Sequence, residues 1–363
     1  MAWREICVNG YISDCQVESL RLPQPRPMYN TQMAGPSPIL VFETLMAHQR
    51  TSALRAGIEL KLFTAIAGGA HTAEALAQTC GASPKGIRVL CDYLTILGFL
   101  AKEDSDYSLT PDSQFFLVEG SPAYMGGMTS FLFHPFMSEG MTRVADAVRK
   151  GGTVLPAEGS VSDDNPIWVD FAKGMVAMPS AMLIGQLAAT TEPIKVLDIA
   201  AGHGMFGIMV AKSSPAAEIH ALDWANVLGV AKTNAEHLGV ADRWHAINGS
   251  AFTMDYGTGY DLVLVTNFIH HFDFATNVAL LQRVRAALKP GGKVVIVEMA
   301  VNDDRITPPL AAMFAMTMLT TTPSGDAFSK RELEAMCTDA GFTMAEHHDV
   351  PPSPSTVTLA INP

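Results

Sequence analysis

The stretch VLDIAAGHGMFG, residues 196–207, decides the fold of this chain. Its glycines Gly202, Gly204 and Gly207 are spaced G-x-G-x-x-G and follow an apolar run that predicts a strand. Glycines at a strand-to-helix turn let the backbone approach a nucleotide closely. The spacing is shared by NAD sites and adenosyl-cofactor sites, and a tight turn without a ligand also satisfies it.

Two acidic residues near this turn narrow the choice of cofactor. Asp198 would repel the pyrophosphate of NAD but would favour the cationic sulfonium and ammonium groups of S-adenosylmethionine. Asp223, in ALDW, is predicted to end the next strand and to accept hydrogen bonds from both ribose hydroxyls, a role that serves either cofactor. The residues therefore favour S-adenosylmethionine over NAD.

Strands and helices alternate along the chain from Ile194. This rhythm predicts an α/β fold with a Rossmann-like, doubly wound and mostly parallel sheet. Only the turn PPSP separates the last two apolar segments, which are therefore expected to form an antiparallel pair. The predicted strands are IKVLDIA, EIHALDW, RWHAING, YDLVLVTNFI, GGKVVIVEM, GFTMAEHHDV and STVTLAINP.

The front half of the chain has the outline of a winged-helix module. After a helical region from Pro38 to Ala67, Thr72 is placed to cap a short helix, Pro84 opens a second helix, and GFLAKEDSDYSLT predicts a hairpin. Because the second helix carries only Lys85 and Arg88 as cations among many apolar residues, DNA recognition is disfavoured. Packing against another subunit is the better prediction.

Composition limits the cellular context. The 363 residues predict two domains, and the net charge of −12 disfavours nucleic acid as a partner. The five cysteines are scattered without a metal spacing, which indicates reduced thiols and a cytoplasmic protein. No long apolar run or signal peptide is evident, so no membrane association is expected. Residues 1–35 are predicted to be a poorly ordered extension, or one that packs on a partner.

These motifs resemble those of the class I S-adenosylmethionine-dependent methyltransferases, on VLDIAAGHG, the acid of ALDW and RAALKPGGKVVIVEM. With the winged-helix front half, the chain is similar to small-molecule O-methyltransferases of the caffeic acid and bacterial polyketide-tailoring type over residues 38–363. The resemblance implies a seven-stranded sheet and a homodimer whose N-terminal domain is swapped around its partner. The expected divisions are a dimerisation domain over 36–115, pocket helices over 116–190 and a cofactor-binding domain over 191–363.

The resemblance also implies a set of cofactor contacts. Ala200 takes the place of the family's first glycine, and Ser250 stands where the family often has an Asp that touches adenine. Phe252 is expected to stack on the adenine. The expected cofactor-binding residues are Asp198, Ala200, Gly202, Gly204, Asp223, Trp224, Ser250, Ala251, Phe252, Thr266 and Asn267.

The catalytic group implied by the resemblance is a histidine at the end of the fourth strand. In TNFIHHFDF, His270 matches the family's base, while His271 and Phe272 replace the family's Asp and Trp. Glu298 matches an acid that supports the base; a second supporting acid is less certain, because Ala327 stands at its position and the nearest acid is Asp326. His271 is otherwise expected to be a surface or helix-cap histidine.

Aromatic and Met residues in the segments that line the family's pocket are candidates for acceptor binding, although core packing would explain any one of them as well. They would suit a planar, apolar acceptor with a hydroxyl, such as a phenol or polyketide. No metal is expected, because adjacent histidines on a strand point to opposite faces. The candidates are Phe131, Phe133, His134, Phe136, Trp168, Phe171, Met175, Met178, Phe314 and Met318.

The leading hypothesis is therefore methyl transfer from S-adenosylmethionine to an oxygen of a small aromatic molecule, with His270 as general base. Within that fold the acceptor atom could also be carbon or nitrogen, with catalysis by proximity. From other classes, a winged-helix regulator that senses a ligand through a degenerate methyltransferase domain and an NAD oxidoreductase stay open. The sequence does not identify the acceptor.

Overall fold

The computed structural model describes residues 36–175, 178–351 and 353–363. The expectation for the extension, residues 1–35, lies outside this described part. Across the described residues, no single helix is long and apolar enough to cross a membrane; Ile167–Gly174 and Pro179–Leu187 reach that length and composition only jointly, with a 77° bend between them.

The helical region predicted between Pro38 and Ala67 is interrupted rather than continuous. Lys61 adopts φ 53°, a left-handed conformation that no α-helix continues through. A second break falls at Met46, which caps one helix and precedes the next. The resulting helices are α1 (Ile39–Leu45), α2 (Ala47–Glu59) and α3 (Leu62–Ala67).

The next elements follow the predicted order of helix, turn, helix and hairpin. Helix α4 (Ala73–Cys80) begins at Thr72, whose side chain accepts a hydrogen bond from Ala75 N. Helix α5 (Pro84–Ile96) has its proline at the first turn, where a missing N–H costs nothing. Strands β1 (Leu100–Glu103) and β2 (Asp106–Leu109) pair antiparallel, as the sequence predicted. This region has an apolar core of its own, which includes Leu62, Phe63, Leu76, Ile87, Leu94 and Tyr107.

Short helices and an irregular segment connect this region to the large sheet. Residues 151–166 run without an α-helix and contain a single 3-10 turn, Gly159–Val161. The segment is fixed to a distant helix, because Thr153 Oγ1 donates to the Thr320 carbonyl at 2.7 Å. The helices here are α6 (Pro111–Phe116), α7 (Met128–Leu132), α8 (Pro135–Thr142), α9 (Val144–Lys150), α10 (Ile167–Gly174) and α11 (Met178–Leu187).

The described residues from Ile194 onward form the predicted doubly wound, seven-stranded sheet. Its strands are β3 (Ile194–Ile199), β4 (Ala217–Asp223), β5 (Trp244–Asn248), β6 (Tyr260–Thr266), β7 (Leu288–Glu298), β8 (Thr343–Asp349) and β9 (Thr356–Ile361). They lie in the order β5-β4-β3-β6-β7-β9-β8. Strands β3 to β7 pair in parallel, whereas β9 is antiparallel to both of its neighbours, which confirms the antiparallel tail.

Helices cover both faces of this sheet, so its central strands are apolar on both sides. Val196 packs into the core on one face and its neighbour Leu197 into the core on the other. Both side chains are fully buried. The helices in this part of the chain are α12 (Met205–Ser213), α13 (Ala225–His237), α14 (Phe274–Ala287), α15 (Pro309–Thr321) and α16 (Lys330–Asp339).

Candidate active site

A cavity of about 440 Å³ opens beyond the carboxyl ends of β3, β4 and β6. This is where open α/β sheets bind their ligands, and the volume suits a small-molecule site. The turn after β3, the ends of β4 and β6, residues 249–252 and the segment 158–163 form its walls. Among the predicted cofactor residues, the cavity is lined by Ala200, Gly202, Asp223, Trp224, Ser250, Ala251, Phe252, Thr266 and Asn267.

Backbone N–H groups hold the carboxylate of Asp223 in place at the end of β4. Gly202 N donates to Oδ2 at 2.8 Å, and Trp224 N donates to Oδ1 at 2.7 Å. Burial raises the pKa of Asp223 to about 6, although both N–H groups act in the opposite direction. Each oxygen keeps further acceptor capacity, so this carboxylate can receive a pair of ligand hydroxyls.

Two predicted cofactor residues lie behind the glycine turn instead of facing the cavity. Asp198 is fully buried, and its Oδ2 accepts from Gly207 N at 3.1 Å. Burial raises its pKa well above the usual range, so its predicted role of attracting a cation is not supported by its position. Gly204 has φ 74°, and a Cβ there would lie 2.8 Å from Ala231, so this glycine is needed for helix packing.

The residue that replaces a glycine of the family adopts a glycine-like backbone. Ala200 has φ 51°, and Asn267, which follows the neighbouring strand β6, has the same φ. The left-handed conformation costs an alanine about 1 kcal/mol, because its Cβ approaches the following carbonyl oxygen. The turn therefore keeps its shape at some cost in stability.

An aromatic cluster forms one end of the cavity. The Phe252 ring packs on that of Phe272 at 4.8 Å, and Phe268 packs on Phe272 at 5.1 Å. Ser250 Oγ accepts a hydrogen bond from Phe252 N at 3.2 Å, which fixes the turn that presents the Phe252 ring. This end can hold a flat, apolar ring system by stacking.

The predicted base and its supporting acid form a buried pair. His270 Nδ1 lies 2.6 Å from Glu298 Oε2, and the side chains are 8% and 4% exposed. Glu298 Oε1 also accepts from Phe268 N at 3.0 Å, so the carboxylate is held by both backbone and side chain. The His270 ring does not line the cavity itself; it packs at 4.8 Å against Phe314 and at 4.2 Å against His271, which does.

Asp326 does not orient the His270 ring. Its carboxylate, half exposed, lies 3.5 Å from Arg305 Nη1. Only its backbone N–H reaches the histidine segment, donating to the His270 carbonyl at 3.0 Å. Asp326 therefore helps to position the backbone of residue 270, and Glu298 is the acid on the ring.

His271 was predicted at the surface or in a helix cap, and that prediction is wrong. The residue is 7% exposed and lines the cavity, and its Nδ1 is buried without a hydrogen-bond partner in the described residues. Burial and the neighbouring His270 hold its pKa well below the usual range. Both histidines lie in a 3-10 turn, Ile269–His271, and not on a strand, so the argument from opposite strand faces does not apply. The helix cap is Asp273, which accepts from Thr276 N at 2.8 Å as predicted.

Only part of the predicted acceptor set reaches the cavity. Trp168 and Phe171 line it, and Phe131, Phe136 and Met175 pack with them in one apolar cluster. The others have different surroundings: Phe133 lies under Arg55, His134 Nδ1 accepts from Phe136 N, Phe314 contacts the His270 ring, Met318 is buried, and the side chain of Met178 lies outside the described part of the chain.

The sequence reasoning missed the segment 158–163 as a cavity wall. Glu158, Ser160 and Asp163 all line the cavity there. Trp168 Nε1 fixes the wall by donating to the Ser160 carbonyl at 3.0 Å. The segment carries no apolar period and no motif, so only its nearness to the predicted pocket helix could have suggested it.

His203, within the glycine turn, is a second missed cavity residue. Its Nδ1 accepts from Met205 N at 3.0 Å, and burial lowers its pKa to about 4. The described residues contain no cluster of three or more His, Cys, Asp or Glu side chains that could hold a metal ion.

The sheet order, the glycine turn and the carboxylate at the end of β4 define a methyltransferase-type fold, and comparison with known proteins specifies the family. Residues 169–343 match the model of the O-methyltransferase domain, and residues 42–119 match that of the O-methyltransferase dimerisation domain. This chain belongs to the O-methyltransferase family.

Solved and curated relatives agree with this assignment. One solved structure is of a protein from Nostoc punctiforme PCC 73102 that is provisionally assigned as an O-methyltransferase. Its sequence is 48% identical to this chain, and the two structures superpose with a TM-score of 0.87 over 90% of this chain and 100% of that one. The tetracenomycin polyketide synthesis 8-O-methyl transferase of Streptomyces glaucescens is 27% identical over 86% of this chain and 93% of its own length. Human N-acetylserotonin methyltransferase, solved with S-adenosylmethionine, shares the fold at 20% identity, with a TM-score of 0.79 over 91% of this chain and 99% of its own.

The predicted family, fold and enzyme class are thereby confirmed. The chain is an O-methyltransferase, so the alternatives of an NAD oxidoreductase and of a ligand-sensing regulator are not supported.

Proposed function

We propose that this enzyme transfers a methyl group from S-adenosylmethionine to a hydroxyl of a small aromatic or polyketide-like acceptor, with His270 as general base. The buried pair between His270 Nδ1 and Glu298 Oε2, 2.6 Å apart beside the cavity, is the observation that carries the proposal. An imidazole held by a carboxylate on one nitrogen can take a proton on the other.

The cavity residues suit the cofactor. Asp223 would accept the ribose hydroxyls, the turn Ala200–Gly202 would let the backbone come close, and Phe252 would stack on the adenine. When bound, S-adenosylmethionine supplies an electrophilic methyl group on a sulfonium. Human N-acetylserotonin methyltransferase was solved with this cofactor and PigF with its demethylated product, which supports the same donor here.

The chain contributes proton transfer and positioning. Within the described residues, His270 Nδ1 is hydrogen-bonded to Glu298 and Nε2 has no protein partner, so Nε2 is the atom free to accept the hydroxyl proton. A phenol holds its proton more tightly than an imidazole does, so proton transfer is expected to accompany methyl transfer and not precede it. Glu298 then stabilises the imidazolium that forms.

The relatives support an aromatic acceptor. One is named for a tetracenomycin polyketide, another for a 3-hydroxy-5-methyl-1-naphthoate, and a third for acetylserotonin. Trp168 and Phe171, whose rings meet at 5.7 Å on the cavity wall, provide the apolar surface that such rings need.

Incubation with methyl-labelled S-adenosylmethionine and a panel of phenols, naphthols and hydroxyindoles tests the proposal. A labelled methyl ether, identified by mass spectrometry and NMR, is the expected product. Label found only on carbon or nitrogen of the acceptor contradicts transfer to oxygen, and binding of NAD but not of S-adenosylhomocysteine in calorimetry contradicts the cofactor.

We also propose a homodimer in which the N-terminal region, residues 36–115, wraps around its partner. The dimerisation-domain match over 42–119 and the apolar side chains that α1 exposes support this. Leu40, Val41, Phe42 and Leu45 are between 60% and 74% exposed, which is unusual for apolar residues without a partner. The other divisions, pocket helices over 116–190 and the cofactor domain over 191–363, stay as predicted from the sequence.

Replacing Phe42 and Leu45 with Asp together tests the dimer by light scattering. The native chain should have twice the mass of one chain at micromolar concentration, and the double variant should be monomeric because charges cannot be buried in an apolar interface. Asp replacements at the exposed Thr79 and Thr338 serve as a control.

The free thiols Cys80, Cys91 and Cys337 agree with the proposed cytoplasmic location.

A further inference from the structure

The turn that carries His270 is held by groups from outside it. It is a 3-10 turn of three residues, Ile269–His271, and the hydrogen-bond geometry of such a turn is poorer than that of an α-helix. Glu298 holds its N–H side, because Oε1 accepts from Phe268 N at 3.0 Å and from His270 N at 3.4 Å. The carbonyl groups of the turn receive donors from two other parts of the chain.

Asn277, on α14, supplies the first of these donors. Its Nδ2 lies 2.9 Å from the Ile269 carbonyl oxygen and 3.2 Å from that of Phe272. An amide nitrogen carries two N–H donors, so one side chain can satisfy both carbonyl groups. Because one acceptor precedes the two histidines and the other follows them, this buried side chain connects the start of the turn to its end.

The Asn277 side chain makes these bonds although its own oxygen is left unsatisfied. Oδ1 is buried and has no hydrogen-bond partner among the described residues. Such an atom is unfavourable, and an apolar side chain of similar size would avoid it. With the amide reversed, Oδ1 would face two carbonyl oxygens, so only the donor orientation is compatible with the turn. The two donors therefore explain an asparagine at this position better than packing does.

The loop after α15 holds the third carbonyl group, that of His270 itself. Asp326 N donates to it at 3.0 Å. A Cβ on Gly325 would collide with the same carbonyl oxygen, so the loop contacts the backbone of the turn too closely for any side chain there. The backbone around the proposed base is thus fixed from α14, from β7 and from this loop.

We propose that Asn277 is a positioning residue for the general base. By holding the carbonyl groups of residues 269 and 272, it keeps the His270 ring where Nδ1 lies 2.6 Å from Glu298 Oε2 and Nε2 is left for the hydroxyl proton. This inference rests on the proposed function, since it assumes that His270 takes that proton. One hydrogen bond fixes a distance but leaves a ring free to tilt, whereas a turn held at both ends also fixes the backbone that carries the ring.

The variant Asn277→Ala removes both donors, and Asn362→Ala is its matched control. Asn362 is also a buried asparagine whose Nδ2 donates to backbone carbonyl groups, at 3.2 Å to Leu288 and at 3.1 Å to Lys289, but it does not line the cavity. Leu288 begins β7, and Glu298 ends it. Both variants should unfold at a lower urea concentration than the native enzyme, because each loses buried hydrogen bonds.

Only Asn277→Ala should slow the reaction. We expect kcat to fall about tenfold, measured with the phenol, naphthol or hydroxyindole that the native enzyme methylates fastest, because small displacements of a catalytic group are costly in rate. KM for that compound and the affinity for S-adenosylhomocysteine should stay within a few fold, since the glycine turn is untouched. Equal kcat values in Asn277→Ala and Asn362→Ala, or a change confined to KM, would overturn the proposal.

The variant Asn277→Leu separates the donors from the space that the side chain fills. Leucine has a similar size and no donor, so Asn277→Leu should be as slow as Asn277→Ala even if it is more stable. Native kcat in Asn277→Leu would assign the residue a packing role and overturn the proposal.

Proton NMR tests the same point without turnover. The Nδ1 proton of His270, in a short hydrogen bond to Glu298, should give a low-field signal that is missing from His270→Ala. This signal should shift or broaden in Asn277→Leu and in Gly325→Ala, which disturbs the same turn from the loop, and stay unchanged in Asn362→Ala.

The NMR result also distinguishes this proposal from the proposed function. No low-field signal in the native enzyme, or an unchanged signal in both Asn277→Leu and Gly325→Ala, would overturn the positioning role. If the signal shifts as expected but His270→Ala methylates at the native rate, the general base is wrong, while Asn277 is still shown to hold the turn.

Discussion

The two ends of the cavity differ in how their polar groups are satisfied. At the glycine turn, both oxygens of Asp223 already accept backbone N–H groups, and the turn is fixed before any ligand arrives. At the Trp168 wall, Ser160 Oγ and His271 Nδ1 have no protein partner in the part of the chain described. The first end is therefore organised before a ligand binds, whereas the second keeps two buried polar atoms unpaired in a mainly apolar wall.

The His270–Glu298 pair packs against the cavity residue His271, and removing the His270 side chain should have the largest effect. His270→Ala is expected to lower kcat by about a hundredfold or more, because the proposed general base for the hydroxyl proton is lost. Affinity for S-adenosylhomocysteine, measured by calorimetry, should stay within a few fold because the glycine turn is untouched.

His347→Ala is the matched control for that variant. His347 also pairs with an acid, Glu334, at 2.9 Å, but it lies on β8, away from the cavity. An unchanged rate in His270→Ala would show that positioning of the acceptor beside the cofactor drives methyl transfer without a general base.

A substitution at the glycine-turn end of the cavity should change the affinity for S-adenosylhomocysteine. Asp223→Asn is expected to weaken S-adenosylhomocysteine binding about ten- to hundredfold, because the charge-assisted hydrogen bonds to the ribose are lost. Asp261→Asn is a suitable control, since Asp261 likewise accepts a backbone N–H, from Lys195 at 2.8 Å, but does not line the cavity. Equal effects of the two variants in calorimetry would argue against a ribose contact.

The same carboxylate predicts a pH dependence of binding. Its pKa of about 6 means that Asp223 is mostly ionised at pH 7 and mostly protonated at pH 5. The protonated form loses acceptor capacity, so affinity for S-adenosylhomocysteine should fall about tenfold between pH 7 and pH 5. Asp223→Asn should bind weakly and equally at both values; a native affinity that does not vary over this range contradicts the assignment.

The smallest expected effect is on stability, and it concerns the strained backbone of Ala200 in the glycine turn. Ala200→Gly should raise the free energy of unfolding by about 0.5 to 1 kcal/mol, because glycine adopts φ 51° without a Cβ clash. Ala201→Gly should instead destabilise the fold, since Ala201 is buried and needs no left-handed backbone. Urea unfolding of both variants measures the difference, and a loss of stability in Ala200→Gly would show that the turn is not strained.

The same contrast explains what the sequence could predict. The glycine spacing, the acid of ALDW and the alternation of strands determine the cofactor end, because each is a local backbone requirement with a fixed position in the fold. The spacing did not show that Asp198, on β3, and Gly204, which caps α12, lie behind the glycine turn and do not line the cavity.

The acceptor end depends on contacts between distant segments. Ser160, Trp168 and His271 meet only through tertiary packing, and no spacing relates residue 160 to residue 271. His271 could not be placed because its backbone forms a 3-10 turn where the sequence suggested a strand end. Asp326 was nearest along the chain to the expected position, yet its carboxylate lies beside Arg305 instead.

Glu298 lies at the end of β7, in a part of the fold expected to be locally more stable than the cavity wall at 151–166. Strand β7 is paired on both sides, by β6 and β9, so its amides are expected to exchange with solvent among the slowest in the chain. The segment 151–166 has no sheet pairing and should open at much lower cost. Local opening of that segment would therefore leave intact the sheet pairing of the strand that holds Glu298 beside His270.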